Sequence, residues 1–141
     1  MQNNTIPPCF YRISVKSLIL DKNGKFLLCK ERSGIWDLPG GGLDEGENIR
    51  NGIIREIREE MGLDIARLED QPSYFLKFIG KDGKEKVNVV YQTQVTNLHF
   101  IPSDECLEVG FFSKEDIDNI EVFPNVQEFI KIYKPEKHVH L

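Results

Sequence analysis

Gly40–Leu63, GGGLDEGENIRNGIIREIREEMGL, is the stretch on which the fold of this chain turns. A glycine-rich entry and a short acidic turn lead into a run of helical spacing from Ile49 to Met61. Asn48 suits the N-cap, and Gly62 suits the position just past the last turn, where a left-handed backbone favours glycine. On a helical wheel Ile49, Ile53, Ile54, Ile57 and Met61 make an apolar arc. Glu56, Glu59 and Glu60 fall beside it, within roughly 100° of one another. Like charges on one helix face repel, and Glu60, nearest the arc, is costly to bury without a partner. A divalent cation removes both problems, and it prefers oxygen ligands. A hard-metal site carried on a helix is therefore expected. Gly52, which costs about 1 kcal/mol against alanine in mid-helix, predicts a close approach on the carboxylate side.

Upstream, Tyr11–Leu20 reads as a strand, Asp21-Lys-Asn-Gly24 as a hairpin turn, and Lys25–Lys30 as a second, central strand. Ile35–Leu38 is a short strand, and Pro39 with three glycines an irregular loop. Downstream, Asp64–Leu68 is a strand candidate, and Tyr74–Ile79 with Val87–Thr96 forms a hairpin across Gly80–Lys84. Val109–Phe112 is another strand, and Ser113 with Asp116 makes a capping box for a short helix. Pro124 opens a last helix through about Tyr133. Residues 1–9 read as an irregular lead-in and Lys134–Leu141 as a frayed tail, with His138 and His140 outside any ligand set. Many strands with two or three helices indicate an α+β chain, arranged as an α/β/α sandwich around a mixed sheet. Residues 1–141 are expected to form one domain.

Composition narrows the function. The chain has 40% hydrophobic and 29% charged residues and a formal net charge of -5. That balance speaks against binding to a nucleic-acid backbone, yet it is compatible with a nucleotide whose phosphates are met through metal ions. No apolar run approaches the length of a membrane span, and no secretory signal is readable at the N-terminus. Cys9, Cys29 and Cys106 have no metal-ligand spacing and read as free thiols of a reducing compartment, so a cytoplasmic location is expected.

The spacing carries a resemblance. Gly41, five residues, Glu47, seven residues, Arg55-Glu56-Ile57, one residue, Glu59-Glu60, one residue, Gly62-Leu63 is similar at every fixed position to the Nudix box. Trp36-Asp-Leu-Pro-Gly-Gly41 resembles the usual lead-in, and Phe112-Ser-Lys-Glu115 the family's aromatic entry to a late helix. The resemblance implies the Nudix fold and Mg²⁺- or Mn²⁺-dependent cleavage of the diphosphate in a nucleoside-diphosphate-linked compound. By position, Glu56, Glu59 and Glu60 would be metal ligands, helped by the Gly40 carbonyl, and Glu56 would be best placed to take a proton from water. Arg55 would orient the carboxylates, and Glu47 would lock the loop to the helix. Many members recruit a further acid from a distant loop; Glu105 is the leading candidate and Glu108 the second. Trp36 is expected in the core rather than under a base.

Substrate choice lies outside the box. The downstream prolines and tyrosines do not resemble the ADP-ribose or dinucleoside-polyphosphate patterns. What remains is similar to the small MutT-like nucleoside triphosphate pyrophosphohydrolases, including those acting on oxidised purine nucleotides. Phe123-Pro124-Asn125 starts the last helix much as the purine-contacting asparagine of MutT does, which makes Asn125 a candidate base reader. Hydrolysis of ADP-ribose, dinucleoside polyphosphates or nucleotide sugars, and a non-catalytic nucleotide sensor, remain the alternatives. Monomer and homodimer are both open.

Overall fold

The computed structural model describes residues 10–138. The lead-in, Cys9 and His140 lie outside them. Among the described residues eight strands are divided over two sheets. In the first, β1 (Arg12–Leu18) runs parallel to β7 (Glu85–Val95) and antiparallel to β4 (Gly40–Gly42). Along its other edge β7 pairs with β6 (Tyr74–Ile79) and then β5 (Ile65–Leu68), both antiparallel. The second sheet has the order β3 (Trp36–Asp37), β2 (Phe26–Lys30), β8 (Glu108–Phe112). Helix α1 (Ile49–Met61) and helix α2 (Pro124–Ile132) cover opposite sides, which gives the expected α/β/α sandwich with a mixed sheet.

Strand alternation explains how one chain fills two cores. Successive side chains of a strand point to opposite faces. Val15, Ile19, Leu27 and Cys29 join Ile53, Ile57 and Met61 of α1 in one cluster. Leu18, Phe26 and Leu28 join Trp36 and, from α2 and its end, Phe129 and Tyr133 in the other. β2 is apolar from Phe26 to Cys29 because it is central and covered on both faces. Phe26 and Phe129 meet edge to face at 5.2 Å, and the Tyr133 hydroxyl donates to the Gly24 carbonyl at 2.7 Å, tying the end of α2 to the first turn. Cys29 and Cys106 are free and buried.

Four details differ from the sequence reading. The three glycines are not irregular: they form β4, because three residues without side chains can lie flat against β1 while approaching α1 closely. The Asp21–Gly24 turn is present, with Gly24 at φ 76, but it joins two sheets at a corner. Only Leu20 and Phe26 still pair across it. The apolar arc of α1 is narrower than the wheel implied. Ile49 is exposed and Ile54 half-buried, while Gly52, Glu56 and Glu60 share the buried side with Ile53, Ile57 and Met61. His138 is not frayed: it is buried, with Nε2 2.8 Å from the Tyr74 hydroxyl and Nδ1 2.8 Å from Gln92 Oε1. Two aromatic rings, Tyr74 and Tyr133, cover it, contacts no local sequence pattern encodes.

Candidate active site

The N-terminal cap of α1 forms as its sequence dictates: the Asn48 side chain accepts from the Asn51 amide at 2.8 Å. At the other end Gly62 is left-handed, φ 64, and donates to the Arg58 carbonyl. The helix is thereby fixed in register against β4, and the carboxylates reach their positions from there.

Glu60 is only 4% exposed, and its Oε1 accepts from the Gly40 amide at 2.7 Å. Burial drives its carboxyl well above the usual carboxylate range. Lys16 and the Gly40 amide pull it back, while Glu56 and Glu105 push it further up. Glu56 lies against Gly41, where an added Cβ would sit 2.7 Å from its Oε1. Arg55 braces the group. Its Nε and Nη2 hold both oxygens of Glu47 at 2.8 and 2.9 Å, and Nη2 also donates to the Gly42 carbonyl. Its Nη1 donates to Glu56 at 2.9 Å and to Glu59 at 3.2 Å. A planar guanidinium can serve so many acceptors at once because its donors form a rigid fork. The Arg55 side chain and the Asp44 amide hold the Glu47 carboxyl down at about 2.

Glu105 arrives from a distant loop. Ser103 Oγ donates to the Glu60 carbonyl at 2.7 Å, and the Ile101 amide donates to the Met61 carbonyl, so the loop docks on the end of α1. Asp104 is held by Arg32 at 2.6 Å, and Cys106 is buried on the other side. Carboxylate oxygens of Glu56, Glu60 and Glu105 consequently lie within 4.8 Å of one another. Three hard oxygen donors so close, with Glu60 biased toward its protonated form by burial and then by Glu56 and Glu105, fit a divalent cation. Glu59 lies outside this group, on the solvent side of Arg55. Glu108 faces Lys30 instead, at 3.7 Å. The Gly40 carbonyl is present at the site but already accepts from Lys16 Nζ at 3.0 Å.

Lys16 went unnoticed in the sequence. Its ammonium is buried and also donates to Asp37 at 3.2 Å and to the Leu38 carbonyl at 3.1 Å. Burial alone would lower its pKa; Asp37 and Glu60 outweigh that and raise it, so the residue keeps its charge. A lysine in the middle of a strand, between Val15 and Leu18, was the available signal. Beyond Asp37, a cleft of about 340 Å³ opens between the first sheet and the start of α2, within the size range of small-molecule sites. Asn125 lines it but is 3% exposed, its Nδ2 donating to Asp37 Oδ1 at 2.8 Å and to Asn88 Oδ1 at 2.9 Å. Trp36 is core, edge to face with Phe112.

Known proteins are similar to this chain in sequence and in fold. The family model for the NUDIX domain matches residues 10–133. Nudix hydrolase 5 of Arabidopsis thaliana is 37% identical over 70 residues, 44% of this chain and 23% of that protein. The nucleoside triphosphatase NudI of Enterobacter sp. (strain 638) is 46% identical over 118 residues, 74% of this chain and 84% of that one. The match spans less than two thirds of the length of several relatives, the Arabidopsis protein among them. Among solved structures, the MutT protein of Methanosarcina mazei Go1 superposes with a TM-score of 0.69 at 27% identity, covering 92% of this chain and 96% of that one. With a family match over nearly the whole described chain, the chain belongs to the Nudix family.

Proposed function

We propose that the protein hydrolyses a nucleoside triphosphate with Mg²⁺ or Mn²⁺, giving the nucleoside monophosphate and pyrophosphate. The observation that carries this reading is the convergence of Glu56, Glu60 and Glu105, within 4.8 Å, joined through Lys16 to a cleft large enough for a nucleoside. The carboxylates would hold the cation, with Glu59 and the second lone pair of the Gly40 carbonyl as additional donors. A divalent cation there supplies neutralisation of phosphate charge and acidification of water. The protein's own groups do the rest. Glu56 or Glu105 takes the proton as water oxygen bonds to phosphorus, and the P–O bond to the departing pyrophosphate breaks. Arg55 and Glu47 keep Glu56 aimed. The relatives named nucleoside triphosphatase and MutT support a triphosphate over other diphosphate compounds. The net charge of -5 supports a free nucleotide over a nucleic-acid chain. Among the described residues no helix is long and apolar enough to cross a membrane.

Release of nucleoside monophosphate, measured across nucleoside triphosphates, ADP-ribose, dinucleoside polyphosphates and nucleotide sugars with Mg²⁺ and then Mn²⁺, and of pyrophosphate from the triphosphates, tests the reading. Glu56→Gln removes a ligand and a candidate base, so a loss of at least ~10²-fold is expected. Undiminished turnover in that variant would overturn the assignment.

A further inference from the structure

The cleft beside the carboxylates contains two amides whose orientation is dictated by their neighbours. Strand register sets Ser14 opposite Asn88, and the alternation that sends Val15 toward α1 sends Ser14 and Lys16 into the cleft. Lys16 Nζ occupies Asp37 Oδ2, leaving Oδ1, an acceptor, for Asn125. Asn125 must therefore turn Nδ2 toward Asp37. The second proton of that nitrogen goes to Asn88 Oδ1. Flipping Asn88 would set two NH₂ groups against each other, so its own Nδ2 faces away from Asn125.

Two atoms are left over, Asn88 Nδ2, a donor, and Asn125 Oδ1, an acceptor. Neither has a hydrogen-bond partner among the described residues, although the two residues are 2% and 3% exposed. Among those residues the side-chain polar atom that is both unpartnered and sealed from solvent is Ser17 Oγ. The two amide atoms accordingly open on the cleft that both residues line, between the apolar walls of Phe78 and Phe123.

We propose that Asn88 is a specificity-determining residue that, with Asn125, reads a nucleobase edge as a donor and an acceptor in an order locked by Lys16 and Asp37. This rests on the nucleotide reading of the carboxylate site. Amino bases present an exocyclic donor beside a ring acceptor, and keto bases present the reverse. A locked pair therefore accepts one class in a given placement and leaves its own atoms unpaired against the other. Sites built on such hydrogen bonds discriminate strongly.

Binding of the four common nucleoside monophosphates and of ribose 5-phosphate, measured by calorimetry in EDTA, tests the proposal without turnover. The wild type should separate amino from keto bases by at least ~10-fold. Asn88→Leu should bring the classes to within about 3-fold, leaving ribose 5-phosphate binding unchanged. Asn88→Asp, which keeps the bond from Asn125 but replaces the donor by an acceptor, should also abolish the wild-type preference and covers the case of a poorly folded leucine variant. Equal binding of all four bases by the wild type, or a preserved ratio in both variants, overturns the proposal. If pyrophosphate release persists with indifferent Asn88 variants, the hydrolase reading stands and the role of Asn88 falls. If ribose 5-phosphate binds as tightly as every nucleotide, the nucleotide reading falls with it.

Discussion

Gly41 has to be a glycine because the Glu56 carboxylate already fills the space of its missing Cβ. Gly40 has a different reason: at φ 125 its Cβ would run into the Val15 carbonyl, which is backbone and cannot rotate away. The two substitutions should therefore separate. Gly41→Ala pushes a side chain that Arg55 pins, so turnover should fall at least ~10-fold with little change in melting temperature. Gly40→Ala should cost at least ~2 kcal/mol of stability through strain and clash, seen in urea unfolding. Glu47 offers a pH test. Arg55 and then the Asp44 amide depress its folded pKa to about 2 from 4.5. A depressed carboxyl stabilises the fold above the unfolded pKa, and that contribution is lost as pH falls toward the folded one. Wild type minus Glu47→Gln in melting temperature should be constant above about pH 5 and shrink between about 4.5 and 2. A difference that stays flat across that window would show that the pair adds nothing.

Helix α1 was the most legible element, since its cap, its C-terminal glycine and its carboxylate face are all local in sequence. What the wheel missed was tertiary. Ile49 is exposed and Ile54 half-buried, and on the buried side Leu43 and Glu47 pack against Gly52. The close approach expected at Gly52 is real, and its source is the Leu43 side chain, with Glu47 Oε1 next at 3.1 Å. Leu43 meets the added methyl with the far end of a flexible side chain, so it can turn aside. Gly52→Ala should therefore keep part of the roughly 1 kcal/mol helix-propensity gain, measured by chemical denaturation. A loss larger than about 1 kcal/mol would mean that Leu43 is fixed by its neighbours. Strand β4 and residues Lys16, Asp37 and Asn88 were not legible as a site. These residues sit on three strands far apart in sequence, β1, β3 and β7; the pairing of β1 with β7 and the reach of the Lys16 ammonium to Asp37 bring them together.

At the scale of the whole molecule, the site lies where the fold can least cheaply keep it. Three carboxylates meet there, one of them almost fully buried, and among the described residues Lys16 is the buried lysine that acts on Glu60 and also lines the neighbouring cleft. Active sites commonly hold such unfavourable groups at the expense of stability. Burial pushes Glu60 toward its protonated form, which glutamine mimics in shape and charge. Without metal, Glu60→Gln should therefore melt at or above the wild-type temperature. Adding Mg²⁺ should reverse the order. A ligand that binds only the folded state stabilises it by about 2.7 kcal/mol at a hundredfold excess over Kd, and the wild type should gain that increment while the variant gains little. The wild type should gain nothing from a monovalent cation at equal ionic strength, which separates binding from screening. If Glu60→Gln melts below the wild type without metal and gains as much from Mg²⁺, Glu60 is a structural partner of the Gly40 amide and Lys16, and the cation sits on other oxygens.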